Sequence, residues 1–186
     1  MLICSKLISG GQGLATALLK RAPTVELDWD VRQKSRFDAT DSTGRSLGVF
    51  LTRGTLVRGG DVLVAEDGSL IRVVAAPQEV LHITACAQHG SPFDLTRAAY
   101  HLGNRHVPIE LQPDHLKIEP DHVLADMLRA MHMTVVTVHE TFEPEGGAYS
   151  SHGHSHWHSH GEHSHSHDHA DHSHGHVHGP NCKHDH

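Results

Sequence analysis

The stretch Val107-Pro108-Ile109-Glu110-Leu111-Gln112-Pro113-Asp114-His115-Leu116-Lys117-Ile118-Glu119 decides the fold of this chain. Apolar residues alternate from Val107 to Leu111, Pro113-Asp114 supplies a turn, and Leu116 to Glu119 begins a second extended run, so the stretch reads as two short strands. Ahead of it, Val80 to Cys86 reads as a strand, and Pro92 to Leu102 as a helix stopped by Gly103-Asn104. Behind it, Pro120-Asp121-His122 opens a helix whose apolar face includes Val123, Leu124, Met127 and Leu128, and Met133 to His139 closes as a strand. The resulting order, βαββαβ, is that of a ferredoxin-like unit with both helices on one sheet face. The other face is left open. In the last strand Met133 and Val135 share one side while Val136 and Val138 share the other, so a covering partner is expected, a second copy of the chain being the natural one and the N-terminal domain or the root of the tail the alternative.

Upstream, residues 24–76 read as short alternating runs such as Ser46 to Leu51 and Asp61 to Ala65, cut by turn signals at Asp41-Ser42-Thr43-Gly44, Gly59-Gly60 and Glu66-Asp67-Gly68. The expected class is therefore α+β: a small all-β N-terminal domain over 1–76, a linker at Ala75-Ala76-Pro77-Gln78, and a ferredoxin-like domain over 77–150. Gly10-Gly11-Gln12-Gly13 is taken as a flexible turn, because the G-x-x-x-x-G-K-[ST] phosphate loop is absent.

Composition narrows the function. Asp and Glu outnumber Lys and Arg by 22 to 15, and 8 residues in 186 are aromatic, which argues against a nucleic-acid partner. No apolar run approaches the roughly 18 to 20 residues of a membrane span. Met1-Leu2-Ile3-Cys4-Ser5-Lys6 lacks the pattern of a secretory signal, so a cytoplasmic location is expected. Cys4, Cys86 and Cys182 are odd in number and form no C-x-x-C pair, which argues against a disulfide framework or a thiolate zinc site. No H-E-x-x-H or comparable metallohydrolase signature is present, and no enzymatic activity is expected.

Of the 23 histidines, 15 fall within residues 152–186, where the only sizeable apolar side chains are Trp157 and Val177. Such a segment cannot bury enough apolar surface to offset backbone ordering, so residues 151–186 are expected to be a disordered tail. The imidazoles of His152, His154, His156, His158 and His160, then His163, His165, His167 and His169, then His172, His174, His176 and His178, and finally His184 and His186, recur mostly at two-residue spacing. Neutral imidazole suits nickel, copper and zinc, whereas calcium and magnesium prefer oxygen. The tail reads as a set of interchangeable transition-metal sites suited to storage and exchange.

Within the folded part, strand parity sends His106 to the face opposite Val107, Ile109 and Leu111, where two copies meeting about a twofold axis would form a bis-imidazole site with vacancies; a solvated surface residue is the plain alternative. His101 lies in the last turn of its helix, where its charged form would complement the helix dipole, so capping competes with ligation. His122 lies in the first turn of the other helix, which disfavours the charged form and suits either a ligand or a neutral solvated side chain. His82 and Cys86 share the outward parity of their strand, but that alone assigns neither a role.

In sequence order, Lys34-Ser35-Arg36-Phe37, Leu51-Thr52-Arg53-Gly54-Thr55, Gly60-Asp61-Val62-Leu63, Tyr100-His101-Leu102-Gly103-Asn104-Arg105-His106, Asp121-His122-Val123-Leu124 and Phe142-Glu143-Pro144-Glu145 resemble segments of the UreE family of urease accessory proteins, which are cytosolic nickel metallochaperones. Gly103-Asn104-Arg105-His106 is the most specific of these, and the His-rich C-terminus strengthens the likeness. The resemblance implies a peptide-binding-like N-terminal domain, a ferredoxin-like metal-binding domain and a homodimer carrying Ni²⁺ at its interface through His106. It also implies partners in the urease apoprotein and an accessory complex with a GTPase. By the same resemblance His101 and His122 match peripheral metal positions, although some relatives carry a second His where this chain has Pro120. His152 and His154 fall where related proteins add ligands to the interface metal. The expectation is a carrier that donates Ni²⁺ during urease metallocentre assembly, with Zn²⁺ or Cu²⁺ as further ligands; a His-rich metal store is the alternative.

Overall fold

The computed structural model describes residues 1–88 and 90–146. The chain is α+β, and its strands fall into two sheets. The first holds β1 (Leu2–Ile8), β2 (Thr24–Leu27), β3 (Arg36–Thr40), β4 (Ser46–Phe50), β5 (Val62–Ala65) and β6 (Leu70–Ala75), in the order β2-β6-β5-β1-β4-β3. β1 runs parallel to β4 and antiparallel to β5, with a register shift between Cys4 and Lys6. Inward side chains of these strands, among them Cys4, Leu47, Val49, Leu63, Ile71 and Val73, are fully buried in one cluster.

This half is not all β. α1 (Thr16–Arg21) and α2 (Trp29–Arg32) interrupt it, and Asp28 caps the second by accepting from Val31 N at 2.9 Å. The glycine-rich stretch is a tight turn: Gly11 is buried at φ +63°, and an added Cβ would stand 2.9 Å from Leu19 Cδ2. Asp61 holds that turn from below, accepting from Gly10 N at 2.8 Å and Arg58 N at 2.7 Å. The expected linker at 75–78 does not exist as a loop. β6 ends at Ala75, β7 (Pro77–Ala85) begins two residues later, and Ala76 N donates to Leu27 O, so the sheets are joined through a hydrogen-bonded step.

From Pro77 the order is β7, α3 (Pro92–Gly103), β8 (Glu110–Leu111), β9 (Leu116–Ile118), α4 (His122–Ala130) and β10 (Met133–Thr141). The four strands form an antiparallel sheet in the order β10-β7-β9-β8. Both helices start at side-chain caps: Asp94 accepts from Ser91 N at 2.7 Å, and Asp121 accepts from Leu124 N at 2.9 Å. Leu95, Ala98 and Leu102 of α3 and Ala125 and Leu128 of α4 pack on Leu81, Ile83, Leu116, Ile118 and Met133.

Three sequence expectations change. The strand expected over 107–111 shrinks to Glu110–Leu111, with Glu110 buried and Leu111 exposed, because the Glu110 carboxylate is engaged by Glu143 N at 2.7 Å and Lys117 Nζ at 3.2 Å. On α4 it is Ala125 that is buried, while Val123 is exposed on the first turn. The helix-free face of the second sheet is partly covered from within the chain, since Trp29 and Phe142 pack with Val80 and Val138 and leave Val136 half exposed.

Candidate metal centre

α3 ends at Gly103, and the chain leaves it through a turn in which His106 N donates to Gly103 O at 2.9 Å. His106 sits there at φ +58°, in the left-handed region that non-glycine residues seldom occupy, and its side chain is exposed. The parity argument that put His106 on the open sheet face does not apply, because β8 begins only at Glu110. Left-handed geometry instead aims the residue away from the core that Leu102, Val107 and Ile109 help to build. His132, after α4, adopts the same conformation at φ +62°, so each helix is followed within three residues by a left-handed histidine.

His101 is half-buried, with its ring edge-on to Tyr100 at 5.4 Å between centroids. The exposed carbonyl at this helix end is served by Arg105, whose Nη1 donates to His101 O at 3.2 Å. His122 is the first residue of α4 and exposed, directly after the capping Asp121. Among the described residues no three His, Cys, Asp or Glu side chains converge on a common point, so His101, His106 and His122 are not gathered into one site within a protomer. The tail histidines His152 to His186, the expected disorder of that segment, and Cys182 lie outside the described residues.

The strap that leads to the tail is closely held. Phe142 O accepts from Arg32 Nη2 at 2.6 Å, Glu143 takes bonds from Arg32 Nη1 and Gly59 N at 2.8 Å each, and Glu145 N donates to Ile109 O at 2.8 Å. The chain thus leaves the described fold against Ile109, three residues beyond His106. α3 exposes Phe93 and Tyr100, seven positions apart and so on one helix face.

A further pair escaped the sequence reading. β7 aligns His82 with Lys117 of β9, and His115, two residues before Lys117, shares that face. The two imidazoles stack with centroids 4.3 Å apart, and Asp114 Oδ1 lies 2.7 Å from His115 Nδ1. Only the register of two strands separated by a helix could have revealed it.

The described residues therefore offer an α+β scaffold that presents imidazoles outward at helix ends. Residues 5–76 match the family model described as UreE urease accessory protein, N-terminal domain, and residues 78–186 that described as UreE urease accessory protein, C-terminal domain. The chain is 79% identical over 159 residues to the urease accessory protein UreE of Polaromonas naphthalenivorans (86% of this chain, 76% of that one). It is 70% identical over 186 residues to that of Albidiferax ferrireducens, covering both chains completely. To that of Paraburkholderia xenovorans it is 52% identical over 153 residues (82% of this chain, 66% of that one). The chain belongs to the UreE urease accessory protein family, a family of accessory chaperones rather than enzymes, and its role lies in urease maturation. No helix among the described residues is long and apolar enough to cross a membrane.

Proposed function

We propose that this protein is a cytoplasmic nickel metallochaperone that works as a homodimer, holds one tight Ni²⁺ between two His106 imidazoles, and donates it to the urease apoprotein through the accessory complex and its GTPase. The observation that carries the reading is the setting of His106: an exposed imidazole on a left-handed corner, beside the point where Glu145 pins the outgoing chain to Ile109. His152 lies seven positions beyond Glu145, a reach of at most about 25 Å, so the first tail imidazoles, His152 and His154, can be delivered to a metal at His106. Two imidazoles leave coordination positions vacant for such exchange, and nickel accepts nitrogen donors readily.

The dimer we assign to the α3 surface that carries Phe93 and Tyr100, adjacent to His101 and His106, in place of the sheet face that Trp29 and Phe142 partly cover. His101 and His122 are peripheral ligands in this reading, and the remaining tail histidines, with Zn²⁺ and Cu²⁺ as further guests, form a loading reserve. Residues 1–76 serve as a peptide-binding-like docking domain and 77–150 as the metal-binding and dimerisation domain.

The test is nickel calorimetry on a chain ending at Ser151, with and without His106→Ala. Retention of one tight nickel per dimer in the truncated chain, and its loss in the variant, is expected. A truncated chain with no tight site would leave the tail as the only binder and end the proposal.

A further inference from the structure

We propose that His82 and His115 form a second transition-metal site, on the helix-free face of the second sheet, that takes one divalent cation such as Zn²⁺, Ni²⁺ or Cu²⁺ through the two imidazoles. It shares no residue with His101, His106, His122 or the tail, and so stands or falls apart from the nickel-donor reading.

Three features carry it. The first is proximity. Two nitrogens bound to one ion at about 2.1 Å each lie no more than about 4 Å apart. Rings whose centroids are already 4.3 Å apart, with planes inclined by 31°, come within that span by rotation about side-chain bonds, with the backbone held by the β7–β9 ladder.

The second is the state of His115. Its Nδ1 lies 2.7 Å from a carboxylate oxygen of Asp114, and an ionised carboxylate only accepts. The neutral ring therefore carries its proton on Nδ1 and its lone pair on Nε2, the arrangement in which a carboxylate orients a metal-binding imidazole and raises its basicity.

The third is charge. Around the pair stand Asp114, Glu110 and Glu140 against one cation, Lys117, which bonds Glu110 at 3.2 Å and Glu140 at 3.0 Å. With neutral imidazoles the patch has two negative charges in excess, a favourable field for a dication. The side-chain hydrogen bond from His115 holds the Asp114 carboxyl below its ordinary range, and that from Lys117 does the same for Glu140. Among the described residues no third His, Cys, Asp or Glu completes the set, so a bound ion would keep open positions and exchange readily.

The experiment uses the full-length chain labelled with ¹⁵N and titrated with Zn²⁺ beyond the capacity of the tail at pH 7.5, while long-range ¹H–¹⁵N spectra follow each imidazole. Ring nitrogens of His82 and His115 are expected to shift together along one saturable curve. His82→Ala should weaken the response at His115 at least tenfold, and Asp114→Asn should weaken both about tenfold while the backbone amide spectrum stays intact. Ring nitrogens that do not move at saturating zinc, or a His115 response unchanged by His82→Ala, would overturn the proposal. The His106 ring, read in the same spectra, reports separately on the nickel-donor site.

Discussion

One guanidinium nitrogen of Arg32 lies 2.8 Å from a carboxylate oxygen of Glu143, a residue 111 positions further along the chain. Arg32 is fully buried, and it also donates to Leu27 O at 3.0 Å and to Phe142 O at 2.6 Å. The guanidinium carbons of Arg32 and Arg58 stand over the Trp29 ring, 5.4 and 5.0 Å from its centroid. One short helix of the first half thereby grips the segment that follows β10, and the exit of the tail is fixed relative to both sheets.

Removing that guanidinium should be costly. Arg32→Met leaves the Leu27 and Phe142 carbonyls without their donor, while Glu143, 32% exposed, keeps Gly59 N and Arg58. The cost should therefore fall below the figure of about 3–5 kcal/mol for a fully buried pair, at roughly 2–3 kcal/mol. Arg32→Lys keeps the charge but not the planar fork that reaches three acceptors, so it should recover less than half of the loss. Urea unfolding monitored by tryptophan fluorescence reads both. A change below about 1 kcal/mol for Arg32→Met would mean that the three acceptors find water instead.

Acid should unfold the protein partly through Asp41. Its carboxylate is buried, which by itself raises the pKa, but bonds from the Thr43 hydroxyl, the Arg45 and Thr43 amides and the Arg45 guanidinium overcome this and hold it well below the usual carboxylate range. A group with a lowered folded pKa stabilises the fold above its unfolded value, near 4, and loses that contribution as pH falls through the folded one. Asp94, Asp114 and Glu140 are lowered too and act in the same direction. Urea midpoints should therefore fall from about pH 5 downward. Asp41→Asn should be less stable than the parent at pH 7, and the two should converge toward pH 2. Parallel curves would remove Asp41 from the account.

How much of this was legible beforehand follows from the range of each interaction. The helices over 92–103 and 122–130 and the strand from Met133 announce themselves by local caps and periodicity. β1 did not, because the register shift after Cys4 breaks its alternation, and α2 is too short to show a helical period. Glu110 reads as an outward residue until Lys117 and Glu143 arrive from elsewhere in the chain to satisfy it. His106 was marked by the motif around it, yet its left-handed backbone has no signature in the sequence. The His82–His115 pair is visible only after β7 and β9 are set side by side.

If the dimer uses α3, a charge at Tyr100 should break it. Tyr100 is 66% exposed and Phe93 65%, an apolar pair that a second copy would bury. Burying a large aromatic side chain is worth about 2 kcal/mol, and placing an unpaired carboxylate in its stead costs more. Tyr100→Asp should raise the dimer dissociation constant at least a hundredfold in sedimentation equilibrium, whereas Val136→Asp, on the sheet face, should change it little. The reverse result would return the interface to the sheet.

Nickel affinity should fall steeply with pH, and the sign follows from the ligand set. Imidazole binds metal only when neutral, and an unperturbed imidazole titrates near pH 6.5, so protons and Ni²⁺ compete for the same lone pairs. If two imidazoles hold the ion, each unit of pH below that range costs up to about a hundredfold in apparent affinity, the square of the tenfold paid by a single ligand. Calorimetry at pH 8 and pH 5.5 on the full chain should show tight binding with little proton release at the upper pH, and at the lower one weak binding in which each ligating imidazole gives up about one proton. His106→Ala should flatten the steepest component while leaving the shallower response of the 15 histidines of the tail. Equal affinity at the two pH values would require oxygen ligands, and with them a different site.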